Sequence, residues 1–301
     1  MKIISIGEVL WDVIGETEHL GGAPFNFAAH ASRVGHEVLF VSAVGTDTRG
    51  DRILQRMQAM NLSTRYVARL AEYPTGHVTV NLDAAGQPGF VIHRPAAYDF
   101  PRLNASEMKT LLSPRPDLIY FGTLQQLSEQ AKELTLRVLQ ANRRARRFYD
   151  VNLRPGCYDP ELLRELIVHA TILKLNDQEV KTISSMFGES YRSFRDFCTR
   201  YSKQFGLEAV CVTRGAQGCS VLLGGEYVEA QGYSINMVDS VGAGDAFAAA
   251  FVHGLANNWP AVEIADFANR VGALVASRPG AIPSWTIDES CSLTQRVQAA
   301  N

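Results

Sequence analysis

The run Val238-Asp239-Ser240-Val241-Gly242-Ala243-Gly244-Asp245-Ala246-Phe247 decides how this chain reads. Two glycines around one alanine permit a tight turn, and the residues that follow, 246–255, have the composition of a buried helix. The amides near Ala243, Gly244 and Asp245 then belong to a first turn that has no intrahelical acceptors for them. Such a helix start attracts negative charge through its free donors and its dipole, which suits a phosphoryl group. Asp245 stands at the same point. The donors are expected to hold its carboxylate ionised and its pKa low, so that it accepts a proton at neutral pH. Phosphoryl transfer to a hydroxyl uses that combination. Alone, the run also reads as a turn closed by an N-cap aspartate.

Working outward, short β-branched runs at 37–43, 117–121, 147–151, 171–175 and 209–213 alternate with helical patterns at 23–34, 49–60, 127–142, 160–169 and 177–187. This alternation predicts an α/β fold with a mostly parallel sheet and helices on both faces. Residues 209–235 read as a β-meander with glycine turns. Residues 63–99 break the alternation: two β-rich segments flank the turn Asp83-Ala84-Ala85-Gly86-Gln87-Pro88. An inserted hairpin must cover its apolar face, either over a substrate cleft or against a second copy.

Composition removes several function classes. A net charge of −2 gives no basic footprint for nucleic acid or an anionic membrane surface. The cluster Arg143-Arg144-Ala145-Arg146-Arg147 reads as a solvated helix end. Five widely spaced cysteines without a C-x-x-C pair predict reduced thiols and a cytoplasmic protein. No uncharged apolar span reaches membrane length, and the seven histidines lack metal-ligand spacing. Gly45-Thr46-Asp47-Thr48-Arg49-Gly50 continues as Asp51-Arg52, so the Lys and Ser/Thr of a Walker loop are missing, and Gly7-Glu8-Val9-Leu10 lacks the dinucleotide glycines. A phosphotransferase here needs another phosphate cradle, and 239–245 supplies it.

The chain resembles the ribokinase/PfkB family of sugar and nucleoside kinases over nearly its whole length. Gly21-Gly22-Ala23-Pro24-Phe25-Asn26-Phe27-Ala28 is similar to the family's N-terminal signature, and Asp239 to Phe247 to its C-terminal one. Asp150-Val151-Asn152-Leu153-Arg154, Asn176-Asp177-Gln178-Glu179, Thr213-Arg214-Gly215 and Arg278-Pro279-Gly280-Ala281 fall between or after them. The resemblance implies a ribokinase-like three-layer sandwich over 1–301 with a small β-lid, contributed mainly by about 63–99 and part of 9–20. Ile92-His93-Arg94-Pro95-Ala96-Ala97-Tyr98-Asp99 is similar to the fructokinase-like branch.

The resemblance implies ATP-dependent phosphorylation of a sugar primary hydroxyl, most simply fructose. Ribokinase, nucleoside kinase and 2-keto-3-deoxygluconate kinase are the alternatives within the family. A non-catalytic sugar or nucleotide sensor is the alternative outside catalysis, and it would be expected to lack the base or the turn, both of which are intact. By the resemblance, Asp245 is the catalytic base and Gly242, Ala243 and Gly244 form the anion hole. Asp12, Gly22, Asn26, Arg94, Asn152 and Arg154 face the sugar or phosphates, and Asn176, Thr213, Gly215, Gly244 and Asn269 face the nucleotide. Glu179 acts on Mg²⁺ through water. Asp239, Val241, Val275, Arg278, Gly280 and Ser284 correspond to a K⁺ site built largely from main-chain carbonyls. A polyol needs rigid donors and acceptors, which Asp and Asn provide. The implied partners are sugar, ATP and, through the lid, a second copy of the chain.

Overall fold

Alternate residues of the central strands face opposite ways, and this period of two builds the architecture. In the computed structural model, which describes residues 1–82 and 88–293, Ile3, Tyr120, Phe148 and Cys211 point into one buried cluster. Ile4, Phe121, Tyr149 and Val212 point into another on the opposite face.

The first part of the chain runs β1 (Lys2–Ile6), β2 (Leu10–Ile14), β3 (Thr17–Gly21), α1 (Ala23–Arg33), β4 (Glu37–Gly45), α2 (Thr48–Ala59), β5 (Val67–Leu70), β6 (His77–Leu82) and β7 (Pro88–Ile92). Then come α3 (Ala105–Leu111), β8 (Leu118–Gly122), α4 (Glu129–Ala141), β9 (Arg146–Asp150), α5 (Pro160–His169), β10 (Ile172–Asn176), α6 (Asp177–Met186) and α7 (Phe194–Phe205). The meander β11 (Ala209–Thr213), β12 (Cys219–Leu223) and β13 (Glu226–Ala230) leads to α8 (Ala243–Ala256), α9 (Ala261–Ala276) and α10 (Ile287–Cys291).

Nine strands form one sheet in the order β13-β12-β11-β10-β9-β8-β1-β4-β5. Its pairings are parallel except at β11–β12 and β12–β13. Helices α1, α8 and α9 cover one face, with Phe27 stacked on Tyr120 at 3.9 Å. Helices α4 to α7 cover the other. Ala246 and Ala248 to Ala250 are fully buried, small enough for α8 to lie close to its neighbours. This is the expected mostly parallel three-layer arrangement.

A second, four-stranded sheet has the order β3-β2-β6-β7. Within it β2 pairs in parallel with β6, and β3 pairs with β2. The stretch 67–70, read from the sequence with the lid, instead forms the edge strand β5 of the large sheet, pairing with Ser42 to Gly45. Its companion residues Tyr66, Val67 and Leu70 are buried, and burial against β4 outweighs membership of the hairpin. The turn expected at Asp83 to Pro88 lies, but for Pro88, outside the described residues.

Strand β1 lies between β4 and β8, where the winding of the sheet changes direction. Ligands of open α/β sheets sit at the carboxyl ends of the strands at such a point. Glu8 follows β1, Asp150 ends β9, Asn176 ends β10 and Thr213 ends β11.

Candidate active site

Gly242 begins the catalytic turn because no other residue fits there. Its φ is +78°, in the left-handed region, and a Cβ would lie 2.2 Å from the Ala281 carbonyl oxygen. The turn is tied from both sides by Asp239, whose carboxylate accepts from the Val241 amide at 3.0 Å and the Gly280 amide at 3.1 Å. The Ala243 amide makes only a long 3.3 Å bond to the Ser240 carbonyl. Helical bonding begins with the Ala246 amide on the Gly242 carbonyl, so the first-turn donors are available to an anion.

Asp245 is buried one turn inside, and its Oδ2 accepts from Asn26 Nδ2 at 2.8 Å. Asn26 comes from the other end of the chain. Gly22, at φ +108°, caps α1 so closely that a Cβ would lie 2.5 Å from the Glu8 carbonyl. The Ser5 hydroxyl donates to the Pro24 carbonyl and anchors that start to β1. Asn26 Oδ1 is buried without a partner, leaving one acceptor for a bound hydroxyl.

The expected low pKa of Asp245 is wrong. Burial, followed by the nearby Asp150 carboxylate, pushes it up to about 6, against the opposing pull of Lys174, Asn26 and Arg154. Desolvation outweighs the helix-start donors. At neutral pH the group is still mainly ionised, and it is a better base than an ordinary aspartate.

Asp12, on β2, faces this centre from the small sheet; burial raises its pKa, while Arg154 and His19 oppose the rise. Arg154 is exposed and donates to Asn152 Oδ1 at 2.8 Å. Its charge acts on Asp12, Asp245 and Glu8, and Asp245 is the residue that Asn26 bonds. Asn152 adopts a left-handed φ of +39°.

Several of the expected ligand residues also make internal contacts. Arg94 pairs with Asp99 at 2.6 Å and donates to the Leu124 carbonyl at 3.0 Å, so its guanidinium is held inside its own loop. Asn176 and Glu179 do not share a helix face; they form a capping box at the start of α6. Asn176 Oδ1 accepts from the Gln178 and Glu179 amides, and Glu179 accepts from the Asn176 and Leu153 amides. Each Glu179 oxygen keeps a lone pair that a metal-bound water could use, which fits an indirect role on Mg²⁺. Asn269 is buried and donates to the Gln231 carbonyl. Thr213 donates weakly, at 3.4 Å, to the Leu175 carbonyl, and the Cα of Gly215 faces open space.

The K⁺ set fits poorly. The Asp239 carboxylate is already doubly bonded as described, the Val275 carbonyl accepts the Arg278 amide, and the Ser284 carbonyl accepts the Arg278 guanidinium. Of this set, the Ser284 carbonyl is the one that meets an internal cation.

Sequence reasoning missed Glu8, Lys174, Tyr120, His30 and Trp285. Glu8 is buried with Oε2 unpartnered; burial pushes its pKa up to about 7, against its own amide and Arg154, with Asp245 adding to the rise. The Trp285 indole donates to His30 Nδ1 at 3.0 Å, so His30 Nε2 carries the proton and donates to the Ala281 carbonyl at 3.0 Å. That pair fixes the loop against which Gly242 packs.

The pfkB family carbohydrate kinase pattern matches residues 2–288, and the chain belongs to that family of enzymes. An Escherichia coli fructokinase is 27% identical over 300 residues, covering 93% of this chain and 95% of the relative. The crystal structure of a Pyrococcus horikoshii sugar kinase in complex with ATP is 26% identical and superposes with a TM-score of 0.81, covering 95% of this chain and 96% of that one. A Xylella fastidiosa fructokinase structure with bound ATP, at 21% identity, has the same fold, with a TM-score of 0.82 over 93% of this chain and 94% of that one.

Proposed function

We propose that this kinase transfers the γ-phosphoryl group of ATP to the primary hydroxyl of fructose, giving fructose 6-phosphate and ADP. One observation carries the reading: Asn26, from the sugar-side signature, donates directly to Asp245 at the start of α8. The proton acceptor and the polyol-binding end of the chain therefore share one point. The sugar hydroxyl gives its proton to Asp245 as its oxygen bonds to the γ-phosphorus, and the bond from that phosphorus to the β–γ bridging oxygen breaks to release ADP. Amides of residues 243–245 face the charge on the transferred group, where fixed donors are most effective. Asn26 orients the base, and Asp12 and Arg154 orient the sugar. Mg²⁺, with Glu179 acting through water, would neutralise charge on the nucleotide phosphates. ATP in the related structures and the fructokinase relatives support the nucleotide and the sugar.

An ADP-release assay over fructose, ribose, adenosine, inosine, 2-keto-3-deoxygluconate and tagatose, with and without Mg²⁺ and K⁺, tests this. Fructose should give the highest kcat/KM, Mg²⁺ should be required, and K⁺ should have little effect because Arg278 already occupies the Ser284 carbonyl. A clear preference for another acceptor reassigns the substrate within the family, and turnover on none sinks the catalytic reading.

We also propose a cytoplasmic protein. No helix among the described residues is long and apolar enough to cross a membrane, and Cys198, Cys211 and Cys219 are free and buried. The exposed apolar side chains of Ile14 and Val91 on the small sheet support pairing of two copies through it, which sedimentation would test.

A further inference from the structure

Beneath the first turn of α8 lies a buried ion pair with no role in the transfer described above. Lys174 and Asp150 are register partners on β10 and β9. Lys174 Nζ donates to both Asp150 oxygens, at 2.9 and 2.8 Å, and the Tyr120 hydroxyl donates to Asp150 Oδ2 at 2.9 Å. Both charged residues are buried, and the ammonium stands 3.4 Å from where a Cβ on Gly244 would lie. A buried ion pair contributes little to stability compared with apolar packing of the same volume. Its position beside the residue preceding Asp245 points to another use.

We propose that Asp150 and Lys174 are positioning residues for the base: Asp150 clamps the Lys174 ammonium under Gly244, near enough to favour ionised Asp245 and too firmly held to pair with it. The proposal rests on the reading of Asp245 as the base. A lysine free to swing onto Asp245 would form a direct ion pair and leave a poor proton acceptor. A site with no lysine would leave a buried carboxylate facing Asp150 and Glu8 without a fixed cation. The observed arrangement lies between the two: Asp245 has one direct hydrogen bond, from Asn26, while Lys174 is held by its own partner. The charged and titratable groups that act on this centre are Glu8 after β1, Tyr120 on β8, Asp150 on β9, Arg154 in the following loop and Lys174 on β10. Glu179 on α6 acts on Lys174 from behind.

The two members of the pair should therefore move the acid limb of the pH–rate profile in opposite directions. With fructose and ATP, Asp150→Asn should shift the acid limb of kcat/KM down by about one pH unit, and Lys174→Gln should shift it up by about one, a change of roughly tenfold on the acid side. Lys174→Arg, which keeps the charge, should restore most of the limb's position. The same shifts should appear in a Glu8→Gln background, which assigns the limb to Asp245 rather than to Glu8. If either neutral variant fails to fold, the double Asp150→Asn/Lys174→Gln, which buries no net charge and removes two opposing effects together, should keep the acid limb within about half a pH unit of its native position while the single variant that folds moves it by about one. Superimposable acid limbs in the single variants, or a double whose limb moves as far as a single variant's, would overturn the proposal while Asp245→Asn remains severely impaired. Normal turnover by Asp245→Asn would instead remove the base assignment on which it rests.

Discussion

Asn26 and Arg94 both stand in the sequence as candidates for the sugar site, and the contacts they make in the fold have opposite fates. Asn26 and Asp245 are 219 residues apart and meet in a buried hydrogen bond, whereas Arg94 and Asp99 are 5 apart and satisfy each other. The first contact requires the whole fold and leaves a carbonyl oxygen and a carboxylate facing the substrate end of the sheet. The second is local and engages part of the Arg94 guanidinium, whose Nη1 also donates to the Leu124 carbonyl. A polar residue in a signature becomes functional when the fold brings it to a point that no neighbour already satisfies.

The largest expected effect breaks the long-range contact. Asp245→Asn should lower kcat by roughly 10²–10⁴ with sugar affinity within a few fold, since Asn can still accept from Asn26 but cannot take a proton. The same substitution should stabilise the protein. A carboxyl raised to about 6 in the folded state contributes stability that is present below its unfolded pKa and lost as pH rises through 6. The neutral variant should therefore gain up to about 3 kcal/mol at pH 8, and the gain should vanish between pH 6 and pH 4. Denaturant melts at both pH values check the sign, and a variant less stable at pH 8 would contradict burial as the dominant cause.

Gly242→Val should come next, with a loss of about 100-fold in kcat and on the order of 1–3 kcal/mol in stability. The new side chain must displace the Ala281 backbone and abandon a left-handed φ. Kinetics and thermal melts on one preparation separate the two losses.

Arg94→Ala tests the local contact. It should cost about 3–5 kcal/mol at neutral pH by stranding the buried Asp99, with kcat within a few fold. Burial already raises the Asp99 pKa and Arg94 opposes that rise, so removing Arg94 should raise it further. The deficit should then shrink as acid protonates Asp99. A tenfold rise in fructose KM with an unchanged Tm would return Arg94 to the sugar. Smallest of all, Thr213→Val should raise the ATP KM by about fivefold, the worth of one modest hydrogen bond, as read in initial-rate assays.

Most of the fold was legible because strand alternation and helix periodicity are local. The β9 and β10 strands and helices α5 and α6 fall within a residue or so of their sequence-based positions. Strand β5 was not, because a short β-rich segment beside a hairpin carries no mark of which sheet it will join. In the site, Asn176 and Glu179 were visible as N-x-x-E, but that spacing is also a capping box, and the backbone amides took it. Lys174 was invisible because a single lysine in an apolar strand shows nothing of its partner until β9 lies beside it. The Asp245 pKa failed for a related reason: helix donors can be counted in a sequence, whereas burial beside Asp150 cannot.

The bonds from His30 to the Ala281 carbonyl and to the Trp285 indole bear on how the enzyme is made. A ribosome emits the sugar side first, and that half waits with its histidine unpaired while about 250 further residues are synthesised, as the separation in sequence requires. Until Ala281 and Trp285 emerge, the loop against which Gly242 packs is not held to α1. Closure of this part of the fold is thus a late, long-range event, set by residues 281–285 rather than by the segment that carries His30.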